Sequence, residues 1–127
     1  MTRHAALIVD DHPVNAALVD AFLRRGGWDT EVVYEGQSAL DAVDRRTYDL
    51  VLLDISMPGM SGIEVCAKLR AHPVVARMRV VAYTAHALPE EHETLRAGGF
   101  DDILTKPVSR DMVSRMLARI GLPELSR

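Results

Sequence analysis

Four apolar runs in this chain end on residues suited to phosphoryl chemistry. Leu7-Ile8-Val9 leads to Asp10 and Asp11, and Leu52-Leu53 leads to Asp54. Val81-Ala82-Tyr83 leads to Thr84, and Ile103-Leu104-Thr105 leads to Lys106 and Pro107. Gathered in one place, the three carboxylates would repel one another, and Lys106 offsets only one of their charges. A divalent cation would bring the group to neutrality. Hard oxygen ligands that leave room for water and phosphate suit Mg2+ rather than zinc. One carboxylate could then attack a phosphoryl group, as in other aspartyl phosphates. The cation and the lysine would neutralise the transferring oxygens, and a threonine hydroxyl can donate to one of them. A lone aspartate after a strand is usually a turn former or helix cap. It is the joint arrangement at four strand ends that carries weight.

For these residues to meet, the elements between them must form a parallel sheet. Short apolar runs alternate with helix-period segments five times. Strands are expected at 5–9, 30–34, 50–53, 79–83 and 102–105. Helices are expected from Val14 to Arg25, stopped by Gly26-Gly27, and at 38–46, 62–71, 89–97 and 110–120. The inward stripes read as Val14, Ala17, Leu18 and Ala21 in the first helix and Ala39, Leu40 and Val43 in the second. Ile63, Cys66 and Leu69 face inward in the third, and Val113, Met116, Leu117 and Ile120 in the fifth. The alternation predicts an α/β fold, a five-stranded doubly wound parallel sheet of order 2-1-3-4-5 in a flavodoxin-like (βα)5 three-layer arrangement. In such a sheet ligands bind beyond the carboxyl ends of the strands, where strands 1, 3, 4 and 5 are neighbours. The fourth helix is mostly polar (Glu90, Glu91, His92, Glu93, Arg96) and is expected to be the least firmly held, or to be read by a partner.

Composition narrows the function classes. The chain has 127 residues, 48% hydrophobic and 26% charged, which suits one globular domain over 1–127 with a core at about 5–120. A formal net charge of -3 does not favour direct DNA binding. No apolar run is long enough to span a bilayer, and the N-terminus lacks a signal-peptide layout. The single cysteine, Cys66, reads as a small core hydrophobe, and its isolation fits a cytoplasmic protein. The five histidines show no close metal-ligand spacing, so a zinc site is not expected.

These residues resemble the receiver domain of two-component response regulators from about Leu7 to Leu117. The matching pieces are Leu7-Ile8-Val9-Asp10-Asp11, Leu52-Leu53-Asp54 with Met57-Pro58-Gly59-Met60-Ser61-Gly62, Tyr83-Thr84-Ala85, and Lys106-Pro107. The resemblance implies that Asp54 is the phosphoacceptor. It implies that Asp10, Asp11, Asp54 and the backbone carbonyl of Ser56 hold Mg2+, or Mn2+ in its stead. Thr84 would shift toward the phosphoryl group, Lys106 would be the family's lysine, and the Lys106–Pro107 bond would be cis. Ser56 and His86 would stand where the family tunes water access. The implied phosphodonor is a histidine kinase or histidine phosphotransfer protein. The implied output is a protein target on the face of helix 4, strand 5 and helix 5, with the chain a monomer or weak dimer in a phosphorelay. Such a domain is a signalling phosphoacceptor rather than an enzyme, though it assists its own phosphotransfer and dephosphorylation. One position departs from the pattern. Many members carry Tyr or Phe three residues before the lysine, and this chain has Ile103. An aromatic switch is thereby excluded, and signalling is expected to rely on Thr84 and the loop and helix after it.

Other readings fit the residues less well. A flavin site would need a hydroxyl- and amide-rich loop where Asp10-Asp11-His12-Pro13-Val14 presents two charges and Pro13 removes a donor. Neither GxGxxG nor a Walker A sequence occurs. An aspartate-nucleophile phosphohydrolase would space its acids one residue apart, and a degenerate docking receiver would not keep the full set. The short stretch after Ile120 leads to the expectation of a stand-alone regulator acting in trans. The Asp11-His12-Pro13-Val14-Asn15 run is also similar to receivers of hybrid kinases.

Overall fold

The computed structural model describes residues 3–72, 78–85 and 88–126. Among the described residues five strands and five helices alternate: β1 (Ala5–Val9), α1 (Pro13–Arg25), β2 (Asp29–Val33), α2 (Gly36–Arg45), β3 (Leu50–Asp54), α3 (Gly62–Ala71), β4 (Arg79–Thr84), α4 (Pro89–Ala97), β5 (Asp102–Thr105) and α5 (Arg110–Arg119). The strands are all parallel in the order β2-β1-β3-β4-β5, as the alternation predicts. Strand β2 begins one residue earlier than expected because Asp29 pairs with Ala5 and Val33 with Val9.

Successive strand residues point to opposite faces, so the apolar runs feed two cores. Val51, Leu53, Val80, Ala82 and Ile103 meet Ala39, Ala42, Val65, Cys66, Leu69 and Leu95 on the α2, α3 and α4 side. Leu50, Leu52, Val81, Tyr83 and Leu104 meet Ala16, Val19, Leu23, Val113, Met116 and Leu117 on the α1 and α5 side. Cys66 is buried as expected, and burial raises its thiol pKa above the ordinary value.

Two helix faces differ from expectation. In α1 the buried residues are Ala16, Val19 and Leu23, while Val14 is 82% and Leu18 42% exposed. This helix is apolar around more than half its circumference, so periodicity offers two stripes and only docking on the sheet selects one. In α3, Val65 joins Cys66 and Leu69 inside, and Ile63 is 48% exposed. Ile63 sits in the first turn and lines a cavity shared with Thr84 and Leu95. The polar α4 buries only Leu95, in line with its composition.

The packed chain continues past α5. Leu122 and Leu125 join the α1–α5 core, and Leu125 is 8% exposed. Its N–H donates to Ser114 Oγ at 3.1 Å, and the Ser126 N–H donates to the Gly26 carbonyl at 3.1 Å. A Cβ on Gly26 would lie 2.5 Å from Leu125 Cδ2, so the strap requires glycine there.

Candidate functional site

Strand periodicity brings the charged residues together. Asp10 continues the Ala6-Ile8 side of β1, Asp54 the Leu50-Leu52 side of β3, and Lys106 the Leu104 side of β5, all on the α1–α5 face. Val9 pairs with Leu53, so the next residues, Asp10 and Asp54, stand side by side. A one-residue slip would send Asp54 to the other face.

Asp10 and Asp54 are almost fully buried, at 0% and 1% exposure. The His12 N–H donates to Asp10 Oδ1 at 2.9 Å, and the Ser56 N–H donates to Asp54 Oδ1 at 3.1 Å. Lys106 Nζ lies 3.4 Å from Asp10 Oδ2 and 3.4 Å from Asp54 Oδ1. Its ammonium also stands 4.5 Å from the centre of the Tyr83 ring, a cation–π contact that fixes the side chain over β4. Burial pushes the Tyr83 phenol up to about 12, aided by the charges of Asp10 and Asp54, so it stays protonated beneath the lysine. Burial likewise raises Asp54 to about 6, against the pull of Lys106 and the Ser56 N–H bond, while neighbouring Asp10 adds to the rise.

Among the described residues, three buried side-chain oxygens accept no hydrogen bond: Asp10 Oδ2, Asp11 Oδ1 and Asp54 Oδ2. Lys106 brings one positive charge to Asp10 Oδ2, which leaves the group with more negative charge than one ammonium offsets, and so dry a place makes that costly unless a further cation binds. Ligand atoms from Asp10, Asp11, His12 and Asp54 all lie within 4.8 Å of one another, close enough for one ion. An oxygen-rich donor set of this kind fits Mg2+.

Thr84 ends β4, buried, and its carbonyl accepts the Lys106 N–H at 2.7 Å. It borders a cavity of about 190 Å³ lined also by Ile55, Ile63, Glu91, Thr94 and Leu95. The Lys106–Pro107 bond is cis, as the resemblance implied. Ile103 is buried against the α4 side of the sheet, in the cluster that holds Leu95 and Phe100. The loop that carries Ser56 returns to α3 through Gly62, where a Cβ would lie 2.2 Å from the Asp54 carbonyl oxygen. Ser61 caps α3, its Oγ accepting the Glu64 N–H at 3.3 Å. The sequence-predicted Asp10, Asp11, Asp54 and Lys106 therefore converge with the Ser56 backbone, and Thr84 adjoins them through Lys106. His86 lies outside the described residues. Sequence reading missed His12 and Tyr83. His12 follows the acidic pair directly, which was the available signal; nothing local marks Tyr83.

Residues 6–118 match the response regulator receiver domain family. The chain belongs to this family. It is 40% identical over 119 residues to the sensor protein GacS of Pseudomonas syringae pv. syringae, covering 91% of this chain and 13% of that protein. It is also 40% identical over 119 residues to the DNA-binding response regulator MtrA of Mycolicibacterium smegmatis, covering 93% of this chain and 51% of that one. This receiver thus spans about an eighth of the length of the first relative and half of the second. Among solved structures, the receiver domain of sensor histidine kinase PA1611 from Pseudomonas aeruginosa PAO1 aligns with a TM-score of 0.85 at 31% identity. That alignment covers 94% of this chain and 99% of that one, whose active-site cleft coordinates a magnesium ion. The Vibrio cholerae chemotaxis protein CheY4 shares the fold, with a TM-score of 0.89 at 24% identity over 94% of this receiver and 99% of that chain. The chain is a receiver domain of two-component signalling. No helix among the described residues is long and apolar enough to cross a membrane.

Proposed function

We propose that Asp54 is the phosphoacceptor of this receiver, taking a phosphoryl group from the phosphohistidine of a histidine kinase or histidine phosphotransfer protein. The observation that carries this reading is the set of three buried carboxylate oxygens that accept no hydrogen bond, with the single charge of Lys106 Nζ shared 3.4 Å from Asp10 Oδ2 and 3.4 Å from Asp54 Oδ1. Asp10, Asp11, Asp54 and the Ser56 carbonyl would hold Mg2+, which when bound supplies charge neutralisation to the transferring oxygens. An Asp54 oxygen attacks phosphorus and the P–N bond breaks. The bonding pair stays with the donor imidazole, which takes up a proton, and an acyl phosphate remains on Asp54. Lys106, held over Tyr83, places its charge beside the incoming phosphoryl oxygens. Burial of Asp54 excludes competing water from the nucleophile.

The signal passes through Thr84 to α4. This helix buries only Leu95, so a small pull at its N-terminal side meets little resistance. At its other end Arg96 Nη2 lies 3.3 Å from Asp102 Oδ1, while Arg119 Nε of α5 lies 2.8 Å from Asp102 Oδ2. Asp102 therefore links α4, β5 and α5, the face read by a downstream protein. With Ile103 buried at the matching position, the movement belongs to Thr84 and α4 rather than to an aromatic rotamer. This reading places the receiver in the cytoplasm.

Incubation with Mg2+ and acetyl phosphate, followed by intact mass measurement, tests the site. A single labile phosphate adduct is expected in the wild type and none in Asp54→Asn. Failure of both acetyl phosphate and a cognate kinase to label the wild type would favour a docking module instead.

A further inference from the structure

We propose that His12 is a fourth side-chain ligand at the acidic centre, and that its imidazole makes this receiver favour first-row transition ions over Mg2+ beyond what carboxylates alone provide. The inference rests on the acidic centre proposed above and adds a nitrogen donor to it. The His12 side chain is 63% exposed and free to turn to water, yet Nδ1 faces inward, 3.0 Å from Asp11 Oδ1 and 3.5 Å from Asp10 Oδ1. Asp11 Oδ1 accepts no hydrogen bond, so the two atoms stand at ion-pair distance without an aligned hydrogen bond between them. Two donors held at that separation match neighbouring ligands of one ion, since right-angled ligands at about 2.1 Å lie about 3.0 Å apart.

The backbone of His12 is held in place on both sides. Its N–H donates to Asp10 Oδ1 at 2.9 Å, and its carbonyl accepts the Ala16 N–H at 3.1 Å as α1 begins. Only the side-chain torsions remain to be ordered when an ion binds. The second observation pointing to a ligand is independent of the histidine. Asp54, more than nine-tenths buried and a member of the same 4.8 Å group, has an oxygen, Oδ2, that accepts no hydrogen bond. Carboxylates suit Mg2+ and Mn2+, whereas imidazole suits later first-row ions, so one added nitrogen shifts the preference toward them.

Calorimetric titration of the full chain with MgCl2 and with CoCl2, at a fixed pH above the imidazole range, compares wild type, His12→Ala and Asp11→Asn. In His12→Ala the Co2+ affinity should fall at least about tenfold, the loss that even an outer partner of a metal ligand produces. The Mg2+ affinity should stay within about twofold, because Mg2+ readily replaces a lost nitrogen with water. The proton NMR spectrum of the Co2+-loaded wild type should contain a hyperfine-shifted exchangeable imidazole resonance that disappears in His12→Ala. Equal Co2+ affinity in wild type and His12→Ala overturns the role of His12 while leaving the acidic centre intact. The same factor lost for both ions also overturns it, as does an imidazole resonance that persists in the variant. Unchanged binding of both ions in Asp11→Asn would remove the acidic centre itself and this inference with it.

Discussion

Replacing Asp54 by asparagine should change how the stability of the metal-free protein depends on pH. Burial beside Asp10 raises the Asp54 carboxyl from 3.8 to about 6. The folded state therefore holds this proton more tightly than the unfolded chain does. That advantage is fully present below 3.8 and is lost as pH rises through about 6. At neutral pH the ionised, buried carboxylate costs the fold about 3 kcal/mol relative to acid conditions, from 1.36 kcal/mol per pH unit of displacement. Asparagine cannot ionise, so Asp54→Asn should gain on the wild type by about that amount between about pH 4 and about pH 8. Urea unfolding in EDTA across this range measures the gap directly. Saturating Mg2+ should narrow it at high pH, because the cation binds the folded wild type and leaves the unfolded chain untouched. A gap independent of pH, or one that shrinks as pH rises, would refute the account of Asp54 as a carboxylate destabilised by burial.

Three further perturbations probe other parts of the argument. Lys106→Met removes the charge that holds the Asp54 pKa down. Carbon-13 NMR of the Asp54 carboxyl should show its midpoint move above about 6, with slower adduct formation from acetyl phosphate. Gly62→Ala forces a Cβ toward the Asp54 carbonyl oxygen, at 2.2 Å, and the backbone there must separate. Urea unfolding should register a loss of at least about 2 kcal/mol, with adduct formation slowed because the strand that carries Asp54 moves. Leu125→Ala empties the strap's seat against Gly26, for a loss of about 2–4 kcal/mol by thermal or urea unfolding. The strap lies at the amino ends of the strands, so the rate of Asp54 labelling should remain that of the wild type.

Much of the fold was legible along the chain. The strands of the sheet are apolar runs because most of them are covered on both faces, and their short lengths separate them from helices. Asp10, Asp11, Asp54, Thr84 and Lys106 stood out because each follows such a run. Helix faces were less legible. The periodicity of α1 allows a stripe through Val14 and Leu18 as well as one through Ala16, Val19 and Leu23, and only the second packs on the sheet. Ile63 fits the α3 stripe by spacing, but tertiary packing leaves its side chain half exposed on the cavity beside Thr84. Residues 121–126 looked like a tail, because two leucines among polar neighbours carry no periodicity. Their burial depends on a notch at Gly26 formed by a distant part of the chain.

By itself the sequence determined which elements form and which reactive residues end each strand, since both follow from local patterns of apolar and polar side chains. Tertiary structure alone decided the distances that make those residues a site. Strand order sets Asp54 beside Asp10, and two-residue periodicity turns both toward the Lys106 side of the sheet. Burial then leaves Asp10, Asp11 and Asp54 each with an oxygen that accepts no hydrogen bond, displaces the Asp54 pKa and seats Lys106 on the ring of Tyr83. Those properties arise from desolvation and from contacts between residues far apart in the chain, which no local pattern encodes.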